Sequence, residues 1–240
     1  MNNTVPTLTM LALLAGGAGA QTVTTDFSNG AEGWVGPTGI GGATTIEPTG
    51  GNDGAFMRTV FNDFGITFRN NTNADFLGDY TTAQEVTLSI DVQVEFMNFF
   101  GQDVSRPWLV ELRDFDSAQG GFPWTGAWFL FDNISQASTG DWTTFSVTFD
   151  PNSTELPDGW GGFGGETDLG EPILPDGVSF SDVLSGVDEI AFTTLQPGFF
   201  FGFTDHTVGI DNISITRTIP SPSALALLGL GGLVGTRRRR

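Results

Sequence analysis

The chain of 240 residues has no cysteine and no lysine, with one histidine and one tyrosine. Without cysteine there is no disulfide framework, no thiolate zinc site and no thiol nucleophile, although the compartment is left open. One His, one Tyr and no Lys leave carboxylates as the main resource for general acid–base chemistry. Positive charge is scarce too: nine Arg face 28 Asp and Glu, a formal charge of −19. So acidic a chain repels phosphate backbones and anionic head groups, which excludes nucleic acid as a partner. What remains is 39% apolar, enough for one core-bearing domain of ordinary size with short appendages.

Both ends read as addresses. Leu8-Thr9-Met10-Leu11-Ala12-Leu13-Leu14-Ala15 has the length of a signal-peptide apolar region, and Ala18-Gly19-Ala20 supplies the small residues of a cleavage site at Ala18 and Ala20. Residues 1–20 are therefore expected to be a signal peptide. At the other end, Pro220-Ser221-Pro222 precedes an uncharged Leu/Gly-rich run to Thr236, and Arg237, Arg238, Arg239 and Arg240 follow. Apolar residues backed by a basic cluster form a stop-transfer signal that holds that end in the cytoplasm. The arrangement resembles the PEP-CTERM sorting signals of Gram-negative bacteria, with Pro-Ser-Pro in place of Pro-Glu-Pro. That resemblance implies a transmembrane sorting helix in residues 219–240, passage through the inner membrane, handling by exosortase-type sorting machinery and delivery to the cell surface or extracellular matrix. A permanent tail anchor is the rival. Between the ends, all 28 acids meet only five Arg, giving the exterior domain a charge of −23.

Residues 21–218 alternate in short runs of Val, Ile, Thr and Phe broken by Gly, Asn, Asp and Pro, an all-β pattern. Strands are expected at 21–27, 43–47, 55–62, 65–70, 85–95, 108–113, 128–132, 143–150, 188–194 and 208–217. Val86, Leu88, Ile90, Val92 and Val94 share one side of their strand and polar residues the other, which predicts one buried and one wet face and hence a two-sheet sandwich. One helical turn is expected after Ser179, which caps it.

Several segments carry a second resemblance. Gly51-Asn52-Asp53-Gly54-Ala55-Phe56-Met57-Arg58, Asp75-Phe76-Leu77-Gly78-Asp79-Tyr80, Asp141-Trp142-Thr143-Thr144-Phe145, the 180–190 segment and Val208-Gly209-Ile210-Asp211-Asn212 are similar, in this order, to laminin B (domain IV) modules. Asp26-Phe27-Ser28-Asn29-Gly30 resembles the opening strand of galactose-binding-like jelly rolls, including many carbohydrate-binding modules. The resemblance implies a jelly-roll β-sandwich of two antiparallel sheets. It also implies a structural Ca²⁺ tying the first strand to the last, with Asp26, Ser28, Asn52 and Asp211 as ligands; Ca²⁺ needs six to eight oxygens. The plain alternative is that Asn52-Asp53-Gly54 is turn chemistry and Asp211 ends a ladder.

Six Trp and 22 Phe point to sugar stacking, because pyranoses lay their apolar faces on aromatic rings while carboxylates and amides meet their hydroxyls. Trp124, Trp128, Asp132, Trp160 and Phe163 are the candidate ligand contacts, with Phe199, Phe200, Phe201 and Phe203 as a further aromatic loop. The Gly-rich setting of Trp160 places it in a loop outside the core. The segments 151–175 and 196–206 are long for such modules, and variable loops are where a sandwich carries its function. No nucleophile elbow and no phosphate loop is present, and acidic pairs occur too freely along this chain for spacing to define a glycosidase. The expectation is an exported, non-catalytic module that binds extracellular polysaccharide, against a purely structural envelope module or a polysaccharide hydrolase.

Overall fold

The computed structural model describes residues 19–219. In chain order the elements are β1 (Gly19–Thr25), β2 (Trp34–Val35), β3 (Gly42–Glu47), β4 (Phe56–Asp63), β5 (Thr67–Asn70), β6 (Glu85–Phe99), β7 (Gln102–Asp103), β8 (Arg106–Asp114) and β9 (Thr125–Ile134). They continue with α1 (Gln136–Thr139), β10 (Thr143–Phe149), β11 (Trp160–Phe163), β12 (Gly165–Glu166), β13 (Pro172–Ile173), α2 (Phe180–Leu184), β14 (Glu189–Thr193) and β15 (Thr204–Ile219).

Two antiparallel sheets hold most of the chain. The seven-stranded sheet runs β10-β6-β15-β4-β3, with β1 beside β15 and β7 beside β6; the six-stranded sheet runs β11-β9-β8-β14-β5-β2. Their facing sides supply one core: Val86, Leu88, Ile90, Val92 and Val94 of β6 with Val208, Ile210, Ile213 and Ile215 of β15, against Trp108, Val110 and Leu112 of β8 and Ile190 and Phe192 of β14. The architecture is all-β and consistent with a jelly-roll sandwich. The period-2 pattern of β6 has its cause here, because one face of the strand meets the other sheet and the opposite face meets water.

The β6–β15 ladder shifts register between Asp211 and Ser214. Asn212 sits there at φ +47°, a left-handed conformation that a short amide side chain tolerates. α2 begins as expected: Ser179 accepts the Asp182 N–H while the Asp182 carboxylate accepts the Ser179 N–H, a reciprocal cap. The Ser179 hydroxyl and N–H hold the Asp182 carboxyl below the usual carboxylate range. The turn then buries Phe180, Val183 and Leu184 against the sheets.

Among the described residues no helix is long and apolar enough to cross a membrane. Ala18, Pro220, Pro222 and Arg237 to Arg240 lie outside the described residues. Ala20 lies in β1, opposite Thr218.

Candidate functional site

On the six-stranded sheet, the residues that alternate with the core are the unusual ones. Val35, Arg69, Ala191, Glu111, Trp128 and Gly161 stand opposite one another in turn across all six strands, on the side facing away from the core. At about 4.8 Å per strand the row is about 24 Å long. A second row, Glu189, Arg113, Gly126 and Phe163, runs beside it.

Glycines make room for indoles on this face. A Cβ on Gly161 would lie 2.2 Å from Trp128 Cζ2, so the Trp128 ring lies down across the neighbouring strand, and its Nε1 donates to the Gly162 carbonyl at 3.1 Å. A Cβ on Gly126 would come within 3.2 Å of Trp124. Trp124 and Phe163 then stack with centroids 5.2 Å apart and planes 31° apart. Trp124 and Phe163 thus form a half-exposed aromatic pair at the β9–β11 end, and the half-exposed Trp128 ring lies over Gly161 on the same face.

A buried ion network anchors the pair. Arg113 donates through Nε and Nη2 to Glu111 Oε2 at 2.8 and 2.6 Å, and through Nη1 to Glu189 Oε1 at 2.6 Å. Trp124 Nε1 donates to the other Glu111 oxygen at 2.7 Å, and the Arg113 guanidinium lies over the Trp124 ring at 4.1 Å. Glu111 and Glu189 are buried, so their charges stand only because one planar guanidinium satisfies both. Their oxygens are taken up by Arg113, Trp124 and, at 3.8 Å from Glu189, Arg69. Glu111 and Glu189 thus serve here as held partners of Arg113 and Trp124.

Beyond Arg113 the face opens into a cleft of about 430 Å³. Val35, Pro37 and Leu195 line it with apolar surface; Asp63, Thr67, Arg69 and Arg113 line it with donors and acceptors. The Arg69 side chain is 55% exposed, and Arg69 is the most open arginine among the described residues. An amphiphilic lining with a few placed polar groups suits a ligand that has both C–H faces and hydroxyls.

Of the residues expected to contact ligand, Trp124 and Phe163 are brought together with Trp128 on the same face, and the other two do not join them. Trp160 is turned inward, with centroids 4.9 Å from Phe149 and from Phe180 and 5.6 Å from Phe129. The Gly-rich segment is not a loop there: it pairs with β9, and strand alternation sends Trp160 to the core side and Phe163 to the outer side. Asp132 is exposed, accepts the Asn133 N–H and joins neither indole.

Of the proposed calcium ligands, Asn52 bonds to Asp211 and Ser28 bonds to Asp26. Asp211 accepts the N–H groups of Asn52 at 2.9 Å and Asn212 at 2.7 Å, and burial pushes its carboxyl above the ordinary range. The nearby Asp91 accepts amide N–H from Asn52 at 2.7 Å and Asn212 at 2.9 Å and the Thr144 hydroxyl at 2.5 Å. Asp26 accepts the Ser28 hydroxyl at 2.6 Å, which holds its carboxyl below the ordinary range. Every one of these carboxylates faces hydrogen-bond donors, and among the described residues no three His, Asp or Glu stand together as a metal site. As arranged, the set does not fit Ca²⁺.

The residues of this candidate site that the sequence reading missed are Arg69, Glu111, Arg113 and Glu189. Glu111 and Arg113 alternate with Trp108, Val110 and Leu112, which is a readable signal of a polar face. Their partner Glu189 is fixed only by the β8–β14 register.

No protein-family model matches the chain, and no curated protein matches it. Among solved structures it is similar to a Clostridium thermocellum N-terminal endo-1,4-beta-D-xylanase, CBM22-1 and GH10 modules complexed with xylohexaose. That match has 14% identity and a TM-score of 0.48, over 83% of this chain and 28% of that one. It is also similar to the family 11 carbohydrate-binding module of a cellulosomal cellulase of Clostridium thermocellum, at 14% identity and TM-score 0.48, over 86% and 99% of the two chains. An exo-beta-agarase matches at 16% identity and TM-score 0.46, over 83% of this chain and 25% of that one. The chain thus spans about a quarter of the xylanase and agarase chains. Likenesses this distant do not assign a ligand.

Proposed function

We propose that this protein is an exported, non-catalytic carbohydrate-binding module whose glycan docks on the outer face of the six-stranded sheet. The observation that carries the reading is the cleft at Arg69, backed by an arginine that is itself stacked on Trp124 and locked between two buried carboxylates. Such rigidity lowers the ordering cost of binding a flexible polymer. The Pro220-Ser221-Pro222 motif, apolar run and Arg cluster support sorting by exosortase-type machinery from the inner membrane to the cell surface or matrix. The test is calorimetry of the purified full chain against a panel of soluble glycans. Arg69→Ala is expected to weaken the best binder by about 10- to 100-fold, the scale of a lost charge-assisted hydrogen bond. No binding across the panel would overturn the reading.

A second reading, an envelope module that contacts other proteins, is favoured by one feature. Phe100, Phe199, Phe200 and Phe203 are each more than half exposed, and Phe64 packs on Phe200 and Phe203 with ring planes 46° and 43° apart. Tilted rings make a poor flat platform for a sugar and a fair knob for a protein pocket.

A further inference from the structure

The outer face is not one open groove. Leu109 and Ala191 alternate with core residues on β8 and β14, so they point away from the other sheet and stand outside the main core cluster, yet both are fully buried. Glu111 and Glu189 are buried beside them. The floor of the face is therefore covered across the middle strands, and the Arg113–Trp124 stack lies over the Glu111 row. On the near side of that stack lies the Arg69 cleft at the β2–β5 edge, walled by Arg113 on its inner side and by Leu195 of the segment after β14.

We infer that this cleft is a dead end and that it takes the terminus of a glycan chain rather than its interior. The inference rests on the carbohydrate-binding reading and names its mode. A polymer threading past Arg69 would have to continue over Glu111 and Trp128, where the floor is already occupied. A terminal unit meets no such obstacle: its hydroxyls face Arg69, Asp63 and Thr67, its C–H faces meet Val35, Pro37 and Leu195, and the rest of the chain leaves toward solvent past β2. The volume of about 430 Å³ is at the small end of ligand sites, which suits one or two sugar units and not a run of them.

The experiment is calorimetry of the full chain with a length series, disaccharide, hexasaccharide and polymer, of whichever panel glycan binds, with concentrations expressed per chain. End recognition predicts one protein per glycan chain and a Kd that changes less than about threefold from hexasaccharide to polymer. Trp124→Ala, which removes the ring that lies on Arg113 over the Glu111 row, is expected to raise the number of proteins per polymer chain above one. Several proteins per wild-type chain, with a Kd per chain that falls at least tenfold with length, would overturn the end-on mode while leaving carbohydrate binding intact. Absence of binding to every glycan would instead remove the reading on which it rests.

Discussion

The two outward faces of the sandwich follow opposite rules. On the seven-stranded sheet the residues between the core positions of β6 are Thr87, Ser89, Asp91, Gln93 and Glu95, and solvent-side hydroxyls pair across strands, Thr22 with Thr216 at 2.8 Å and Thr87 with Thr148 at 2.7 Å. Its ion pair, Arg58 with Glu95, is about one third exposed. On the six-stranded sheet the equivalent positions of β8 and β14 are buried, and the ion pairs sink with them. A polar face that water does not reach has been built over. That departure from plain alternation, more than any motif, marks the side of the molecule where the ligand is proposed to bind.

The largest expected effect separates the two faces through their arginines. Arg113→Met leaves Glu111 and Glu189 charged and unpaired in a buried site and is expected to cost about 3–5 kcal/mol in urea unfolding. Arg58→Met removes a partly exposed pair and should cost less than about 1 kcal/mol. Equal losses would break the comparison.

Between the faces lies the one histidine. His206 is buried, with Nδ1 3.3 Å from the Phe61 carbonyl, and burial lowers its pKa to about 4 from 6.5. The folded state thus binds fewer protons there than the unfolded chain. The associated stability, about 3 kcal/mol, is complete above pH 6.5 and is lost as pH falls toward 4. His206→Gln should flatten that part of the pH–stability curve; an unchanged slope would assign it to other groups.

A smaller effect tests the glycine floor. Gly161→Ala forces Trp128 off its neighbour strand and is expected to cost about 1–3 kcal/mol with a shift in tryptophan emission, whereas an unmoved spectrum would show that the indole is not pinned. Thr87→Ala, on the plain face, should cost about 0.5 kcal/mol or less. EDTA is expected to leave the melting temperature unchanged, since a cation bound only by the native state would raise it.

The sandwich was legible because each of the ten expected strands needs only local alternation, and Ser179 capping needs only three residues. From sequence the Gly-rich 160–163 segment reads as a loop because glycine lowers β-propensity. Pairing with β9 overrides that propensity, and Trp160 moves inside with it. Trp128 and Phe163 were identifiable as aromatics outside the regular core pattern. The charges that hold Trp124 were not, because Glu111 and Glu189 are 78 positions apart in the chain and come together only through a strand register. The calcium expectation rested on residue types alone, and which donors the side chains meet, as Asp91 meets Asn52, Asn212 and Thr144, is set by strand register that sequence spacing does not show.

β15 has a mechanical consequence. It is 16 residues long, is flanked by β6 along nearly its whole length and by β4 and then β1 on the other side, and its last residue, Ile219, leads directly into residues 220–240. Tension applied at the tail along the strand axis therefore pulls β15 in shear, so that many ladder bonds resist together instead of parting one by one. Asp63, a cleft residue on the seven-stranded sheet, pairs with Thr204, at the end of β15 farthest from the tail. A tug on the tail would thus be taken up along the ladder between Ile219 and Thr204 before it reached the grip on the sugar.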